Sequence, residues 1–480
     1  MWKDLKALGK ESVIYGLSTV VARLLNFLLL PFYTHYLVPG EYGAVSTLFA
    51  YIAFLNVLYQ HGMDQAYMRF AADRKKDPGP VFSTAFWSLL GVSLAFSLAI
   101  HLGAAPLARW GGLGAAAAGM VRCSAWIMAL DALATVAFAD LRMDHRAWTY
   151  AGVKSLNIAL NVFLNVLFLR GMRLGPAGVF WASLLSSLAT LALLAPVFAA
   201  RLRARFSGAL YPELARFGLP LIPAGLGAMA IQVIDRPILL AMTDEATVGI
   251  YQANYRLGIF MMLLVSMFDQ AWRPFYLQRA DAPDSRRLLG RVLTYFLAGS
   301  LWATLALSLF IPDIVRLQVH GRSLIHPAYW SGLGVVPVVL AGYVFYGAYI
   351  NFMASVTLAK RTDILAWITA LGAAVNVAVN LALIPRWGMM GAAWATFAAY
   401  AATAAALYLA GRKVYPIPYE NGRVAALLLA FAAAGAAAWR LSGAGVGARL
   451  AVLLLAPILL WAAGFLTDEE RAGLGRLFRA

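Results

Sequence analysis

Several basic side chains lie within long apolar stretches of the sequence, where an uncompensated charge is costly. Arg23 is near the middle of the first stretch, Arg256 lies about ten residues into the eighth, and Lys154 lies one turn inside the fifth. A guanidinium binds phosphate oxygens in a bidentate manner and stays charged at any relevant pH. Arg23 and Arg256 are therefore candidate ligands of a pyrophosphate, and Lys154 of an incoming phosphate. The alternative is structural: each arginine neutralises a nearby acid, and Lys154 extends to the membrane surface.

Acidic side chains in the same stretches form a second group of candidates. Asp131 lies in the middle of the fourth stretch with no basic residue one turn away. Such a carboxylate is protonated or holds a cation, which makes Asp131 a candidate coupling site for H⁺ or Na⁺; a salt bridge to Arg23 explains it equally well. Asp235 and Arg236 precede Pro237 in the seventh stretch, where proline frees a backbone carbonyl. We expect Arg236 to bind substrate and Asp235 to act in gating or ion coupling, or the pair to be structural.

Two further acids stand at one end of corresponding stretches. Asp64 is followed by Arg69, and Asp269 by Arg273. Their simplest role is that of charges at the membrane interface; the sharper hypothesis is a cytoplasmic gate built from ion pairs. His61 lies one turn before Asp64, where it either makes such a gate sensitive to pH or serves only as a hydrogen-bonding group.

The composition requires a membrane environment for these residues. Hydrophobic residues make up 62% of the 480 positions and charged residues 13%, whereas soluble domains are about 45–50% apolar and about 25% charged. The single cysteine, Cys123, excludes an internal disulfide, and the six histidines show no paired metal-ligand spacing. No metal site or cofactor is expected. The basic N-terminus precedes an apolar segment without a small-residue cleavage site, so the first span is expected to stay uncleaved.

Fourteen stretches are long enough to cross the hydrocarbon core, which takes about 20 mostly apolar residues in a helix. Their expected limits are 12–37, 43–69, 81–108, 118–141, 150–169, 176–200, 216–242, 246–273, 290–314, 330–358, 364–385, 389–410, 423–439 and 448–466. With the N-terminus inside, 27 of the 39 lysines and arginines fall in cytoplasmic segments and 9 in the opposite loops. This distribution follows the positive-inside rule and places both termini in the cytoplasm. It also excludes nucleic-acid binding, because the basic residues are divided among many short loops.

Short motifs recur at separations of 205 to 215 residues. The fifth and sixth stretches read N-x3-N and then G-x2-W-A-S from Asn161 onward, and the eleventh and twelfth read N-x3-N and then G-x2-W-A-T from Asn376. The sequence Asp-Gln-Ala at Asp64 returns at Asp269. We therefore predict an all-α polytopic protein with one six-helix bundle over 1–205, a repeat of it over 206–415, and two additional helices with a tail over 416–480. Two bundles of equal orientation are expected to enclose a central cleft, as in alternating-access transporters.

Several short motifs of the sequence resemble those of a known family. They are the run Ser12 to Leu17, the run Leu30 to Thr34 with Leu37, Glu41-Tyr42-Gly43, and Asn376, Asn380, Ile384-Pro385, Gly388 and Gly391 to Ala393. The sequence resembles bacterial polysaccharide-biosynthesis membrane proteins, which are O-antigen and exopolysaccharide flippases of the multidrug/oligosaccharidyl-lipid/polysaccharide exporter superfamily. The resemblance covers essentially the whole chain in length, span count and repeat.

The resemblance implies transport rather than catalysis. Its substrate would be an undecaprenyl-pyrophosphate-linked oligosaccharide, moved from the cytoplasmic to the periplasmic leaflet of the bacterial inner membrane for surface polysaccharide or lipopolysaccharide assembly. The implied partners are membrane lipid and the glycosyltransferases and polymerase of the same pathway.

Two other functions stay open. A cation-coupled multidrug or small-molecule antiporter would be expected to have a predominantly acidic cleft, whereas this sequence offers both signs of charge at depth. A membrane polysaccharide polymerase or ligase usually needs a sizeable loop with catalytic acids or bases. The longest expected outer loop, residues 315–329, contains His320, Arg322 and His326 but no carboxylate.

Overall fold

The computed structural model describes residues 25, 27–73, 77–280, 284–319, 321–440, 445–462 and 465. Helices dominate the described chain. In order they are α1 (27–36), α2 (Pro39–Gln60), α3 (Met63–Asp73), α4 (Gly79–Leu102), α5 (Ala104–Trp110), α6 (Ala118–Met143), α7 (Ala147–Val166), α8 (Pro176–Leu193), α9 (Ala195–Arg201), α10 (Tyr211–Gly218), α11 (Ile222–Val233), α12 (Asp235–Met242), α13 (Glu245–Arg256), α14 (Ile259–Gln278), α15 (Ser285–Arg316), α16 (Val335–Leu358), α17 (Asp363–Trp387), α18 (Met389–Val414), α19 (Asn421–Arg440) and α20 (Val446–Ala462). A short antiparallel hairpin pairs β1 (Gln318–Val319) with β2 (Arg322–Ser323).

Most of the expected spans are present as helices. Among the described residues, eleven helices are long and apolar enough to cross a membrane, and α13 with α14 supplies a twelfth in two pieces. The expected first span, 12–37, lies mostly outside the described residues. The expected fourteenth corresponds to α20, whose 17 residues rise about 25 Å at 1.5 Å per residue. The predicted all-α polytopic architecture is confirmed, and fourteen spans agree approximately with this set.

Several expected spans are interrupted. The seventh was expected to be continuous over 216–242, but α11 ends at Val233 and α12 begins at Asp235. Pro237 supplies the physical reason, because it has no N–H to donate to the carbonyl of Val233 four residues earlier. The eighth, expected over 246–273, breaks at Leu257 and Gly258 between α13 and α14.

The second span is also broken, at His61 and Gly62. Both residues have left-handed backbone conformations, with φ of 33° and 71°, so α2 ends there and α3 begins at Met63. A Cβ on Gly62 would lie 2.4 Å from the carbonyl oxygen of Gly218. Glycine is required here both for its backbone conformation and for the close approach of α10.

Contacts within the chain define two compact units, which we describe separately. The first comprises Met1–Arg256, Ile325–Gly332 and Thr369–Ala399, and the second Leu257–Leu324, Leu333–Ile368 and Tyr400–Ala480. The predicted boundaries at 205 and 415 follow the sequence repeat rather than these contacts, and they stay a prediction.

Within the first unit, α2 and α13 approach each other without intervening side chains. A Cβ on Gly43 would lie 1.7 Å from the carbonyl oxygen of Glu245, and one on Gly249 would lie 1.9 Å from that of Pro39. Only hydrogen at these two positions allows the backbones to meet. The crossing brings Arg256, at the end of α13, to the same part of the unit as α2.

The segment after α9, residues 201–207, is fastened to earlier helices of the first unit, and we call it the connector. Arg201 forms an ion pair with Asp144 at 2.6 Å and another with the buried Asp140 at 3.2 Å. The backbone N–H of Arg203 donates to Ser83 Oγ at 2.7 Å, and its guanidinium pairs with Asp77 at 2.9 Å. The connector therefore has a fixed course along α4 and α6.

Candidate functional site

A cavity of about 700 Å³ lies in the first unit. Its walls are formed mainly by α2, α6, α7 and α8, with contributions from α11, α12 and α13. The lining positions on α2 recur at helical spacing from Tyr42 to Gln60. Eighteen residues of α-helix rise about 27 Å, so the cavity follows most of the length of α2.

One end of the cavity carries two arginines and two tyrosines, and we call it the cationic end: Tyr33, Tyr42, Arg236 and Arg256. The guanidinium carbon of Arg256 lies 6.0 Å from the ring centre of Tyr33. Nη1 of Arg256 and the Tyr42 hydroxyl are both buried without a hydrogen bond of good geometry among the described residues, although the two side chains lie close enough to interact with each other. Unpaired buried donors favour an anion that accepts hydrogen bonds from both.

Arg236 is the second arginine of this end and is held by other side chains. Its Nη1 lies 2.7 Å from Oδ1 of Asp235, and both residues are almost completely buried. Its Nε donates to Gln252 Oε1 at 2.9 Å, and the guanidinium lies 4.4 Å over the ring of Tyr255. Asp235 also accepts a hydrogen bond from the Tyr251 hydroxyl. The charge of Arg236 is thus balanced within the protein.

A second charged region lies further along the cavity and combines both signs. Asp131 accepts a hydrogen bond from Ser187 Oγ at 2.7 Å. Lys154 lies with its Nζ 4.2 Å from the ring centre of Phe138, and its charge interacts with that of Asp131. We call this region the paired-charge end. The basic neighbour of Asp131 comes from α7, which is why inspection of the fourth stretch alone did not find it.

Amides and hydroxyls line the wall between the two ends. Asn157 donates to Thr190 Oγ1 at 2.8 Å and to the Ser186 carbonyl. Asn165 donates to Asn161, and its own Oδ1 accepts a hydrogen bond from Tyr33 at 2.9 Å. These contacts agree with the structural role of the asparagines, since they join α7 to α8 and to α1.

Three other predicted site residues, Asp64, Asp269 and His61, are not among the residues that line this cavity. Asp64 accepts a hydrogen bond from its neighbour Gln65 at 2.8 Å, and Arg69 pairs with Asp73 at 2.7 Å rather than with Asp64. In the second unit, Arg273 pairs with Asp269 at 2.8 Å.

His61 is buried at the break between α2 and α3. Its Nδ1 lies 2.9 Å from the carbonyl oxygen of Tyr59, and its Nε2 lies 3.0 Å from Ser88 Oγ. Both ring nitrogens have protein partners, and the ring contacts α4 rather than lying beside Asp64. Arg23 lies outside the described residues.

Sequence reasoning missed several polar members of the lining. Tyr33 and Tyr42 were named only as part of the family resemblance, without a role in the site. Gln252 was not singled out, and Ser187 was not connected to Asp131. The available signal was the polar face of α2, where Tyr42, Ser46, Asn56 and Gln60 line the cavity at roughly helical spacing. Uncharged polar residues were passed over because they are far less costly in a membrane than charges.

The helices and the cavity define a polytopic membrane protein with a transporter fold, and comparisons with solved structures agree. The fold matches the lipid II flippase MurJ in its inward closed conformation, with a TM-score of 0.72 and 14% identity, over 94% of this chain and 97% of MurJ. It matches an inward-facing multidrug resistance MATE family transporter of the MOP superfamily with a TM-score of 0.67 and 14% identity, over 82% and 97%. An outward-facing MATE family transporter matches with a TM-score of 0.58 and 17% identity, over 85% and 95%.

A family model identifies the chain more closely. Residues 34–297, more than half of the sequence, match the family described as polysaccharide biosynthesis protein. The chain belongs to this family, as the resemblance predicted. No curated protein matches the sequence.

Proposed function

We propose that this protein is a flippase that moves a polyprenyl-pyrophosphate-linked oligosaccharide across the bacterial inner membrane for surface polysaccharide assembly. The carrying observation is the buried, unpartnered Nη1 of Arg256 in an elongated polar cavity. A pyrophosphate supplies several acceptor oxygens for this nitrogen and for the Tyr42 hydroxyl. Family membership and the likeness to a lipid II flippase support a lipid-linked cargo.

The other proposed parts of the mechanism come from the charged residues of the apolar stretches. Arg23 joins Arg256 in binding the pyrophosphate, and Arg236 shapes the cationic end together with Asp235. Headgroups travel through the aqueous interior while the polyprenyl tail stays in lipid. Asp64, Asp269 and His61 take part in gating, and H⁺ or Na⁺ coupling is assigned to carboxylates such as Asp131.

Two competing functions fit the cavity less well. A cationic drug would meet three basic side chains and one carboxylate in the lining, so an antiporter for cations is disfavoured by charge repulsion. A polymerase or ligase would need catalytic acids or bases beside its substrate. The glycosyltransferases and polymerase of the pathway are therefore proposed as separate partners, and the protein itself as a transporter without enzymatic activity.

The test is transport in cells that lack their own copy of the gene. Neutralising Arg256→Gln, and separately Arg23→Gln, should reduce surface polysaccharide by at least about tenfold, the effect of removing one charge-assisted contact, with unchanged protein abundance in the membrane. Arg322→Gln, which changes an exposed arginine of the β1–β2 hairpin, is the matched control and should behave as wild type. Normal polysaccharide with both arginine variants would refute the assignment, and efflux of cationic dyes by the purified protein would favour an antiporter.

A further inference from the structure

The paired-charge end of the cavity has the chemistry of a sugar site. Asp131 only accepts hydrogen bonds when ionised, and Lys154 only donates them. Both line the cavity, and their charges offset each other. An anion would be attracted by Lys154 and repelled by Asp131. A cation would be attracted by Asp131 and repelled by Lys154. A neutral group that both donates and accepts hydrogen bonds satisfies both side chains.

Neighbouring residues extend the same pattern. Ser187, Asn157 and Thr190 surround the charged pair with hydroxyls and an amide. Neighbouring hydroxyls of a sugar can donate to the carboxylate and accept from the ammonium, which is the complement of this wall.

The two ends of the cavity are separated by more than the length of one sugar ring. Asn165 bonds to Tyr33 at the cationic end, whereas Asn157 bonds to Thr190, one turn from the Ser187 that holds Asp131. These asparagines are eight residues apart on α7, which corresponds to about 12 Å of rise. A pyrophosphate at Arg256 would therefore place a sugar beyond the first at the paired-charge end.

We infer that Asp131 and Lys154 form a recognition site for an uncharged sugar unit of the carried glycan, distinct from the arginines that take its pyrophosphate. The inference rests on the proposed flippase function and names its substrate class. The carried glycan would contain at least two sugars, and the sugar that reaches Asp131 and Lys154 would have free hydroxyls. Asp131 accepts hydrogen bonds from that unit, and Lys154 donates to it.

The test measures binding by the purified full-length protein in lipid nanodiscs. The two probes are a polyprenyl pyrophosphate and the same lipid carrying an N-acetylglucosamine disaccharide, and the readout is the ratio of their dissociation constants. Wild type should bind the disaccharide lipid about tenfold more tightly, the ratio that one hydrogen bond to a charged group produces. Asp131→Asn and Lys154→Met should bring the ratio close to one. Arg256→Gln should weaken both lipids equally and leave the ratio intact.

Matched controls outside the cavity are Asp284→Asn and Lys413→Met, both exposed; they should keep the wild-type ratio. A wild-type ratio of one, or a ratio that survives in both Asp131→Asn and Lys154→Met, would overturn the sugar site and leave the flippase proposal standing. Failure of wild type to bind either lipid would reject the proposed function, and the sugar site with it.

Discussion

Arg236 and Arg256 line the same cavity in different electrostatic states. Arg236 is compensated by Asp235 and held by Gln252 and Tyr255. Arg256 keeps a buried nitrogen without a hydrogen bond among the described residues. A charge that is balanced within the protein has a structural role. A buried charged group that lacks a hydrogen bond favours the binding of a ligand.

The buried pair should behave as a unit in stability measurements. Asp235→Asn should lower the free energy of unfolding by about 3 kcal/mol, because it leaves the charge of Arg236 buried and uncompensated. The double variant Asp235→Asn/Arg236→Gln should recover a large part of that loss. The measurement is thermal unfolding in detergent, followed by a dye that reacts with the half-buried thiol of Cys123 as it becomes exposed.

The exposed ion pair of the second unit is the reference. Arg361→Gln removes the partner of Asp363 and should change the unfolding temperature little, since solvent already screens these charges. Equal losses for the single and the double variants of the buried pair would contradict its description as a compensated unit.

Residue types alone located the charged side chains that line the cavity, but not which helices bring them together. Lys154, Arg236, Arg256 and Asp131 were recognised because a charge in an apolar stretch is costly whatever the fold. That Lys154 is the basic neighbour of Asp131 depends on the packing of α6 against α7. His61 shows the same limit, since a break in the backbone turns its ring toward Ser88.

At the scale of elements, the tightest contact is the crossing of α2 and α13. Its closeness depends on Gly43 and Gly249, because a Cβ at either position would overlap backbone atoms of the other helix. Backbone cannot be displaced by a change of rotamer, so a methyl group here must separate the helices.

Gly43→Ala should therefore lower the free energy of unfolding by about 1–3 kcal/mol or prevent folding. Gly91→Ala is the matched control, since an added Cβ on this α4 glycine would have no atom within 4 Å; alanine should be neutral or slightly stabilising there. Thermal unfolding and the yield of monodisperse protein provide the comparison. Equal stability of the two variants would show that the helices do not meet as described.

Two helix ends that are separated by the spacing of the repeated motifs share one local geometry, while the six-helix repeat itself stays a prediction. The N–H of Arg146 donates to the carbonyl five residues earlier at 2.9 Å, and Arg361, 215 residues later, does the same at 2.9 Å. The residues before them, His145 and Lys360, share left-handed φ values of 56° and 57°. Both are helix ends of the Schellman type. A six-helix repeat would explain why the helix ends at Arg146 and Arg361 have the same geometry.

Hydrophobic length predicted the elements well and their interruptions poorly. Eleven helices follow the expected spans because the bilayer sets one length for all of them. The break at Ile234 had a visible cause in Pro237. The break at His61 did not, because it depends on left-handed backbone and close packing rather than on hydropathy.

At the scale of the whole molecule, the arrangement of charge predicts orientation. With 27 of 39 basic residues assigned to one side, both termini are expected to be cytoplasmic. A fluorescent protein fused after Ala480 should therefore be bright, and an alkaline phosphatase fused there should be inactive. A phosphatase inserted between Val319 and Arg322, in the hairpin of the longest expected outer loop, serves as the positive control. Activity at the C-terminus would contradict an even number of spans.

The connector has a consequence for how the protein is made. Every side chain that fastens it, from Asp77 and Ser83 to Asp140 and Asp144, precedes it in the sequence. A chain emerging from the ribosome can therefore complete these ties as soon as Ser207 has been synthesised, before the next span is inserted. Biogenesis would then proceed in stages, with α4 and α6 tied to the connector while the rest is still to be translated.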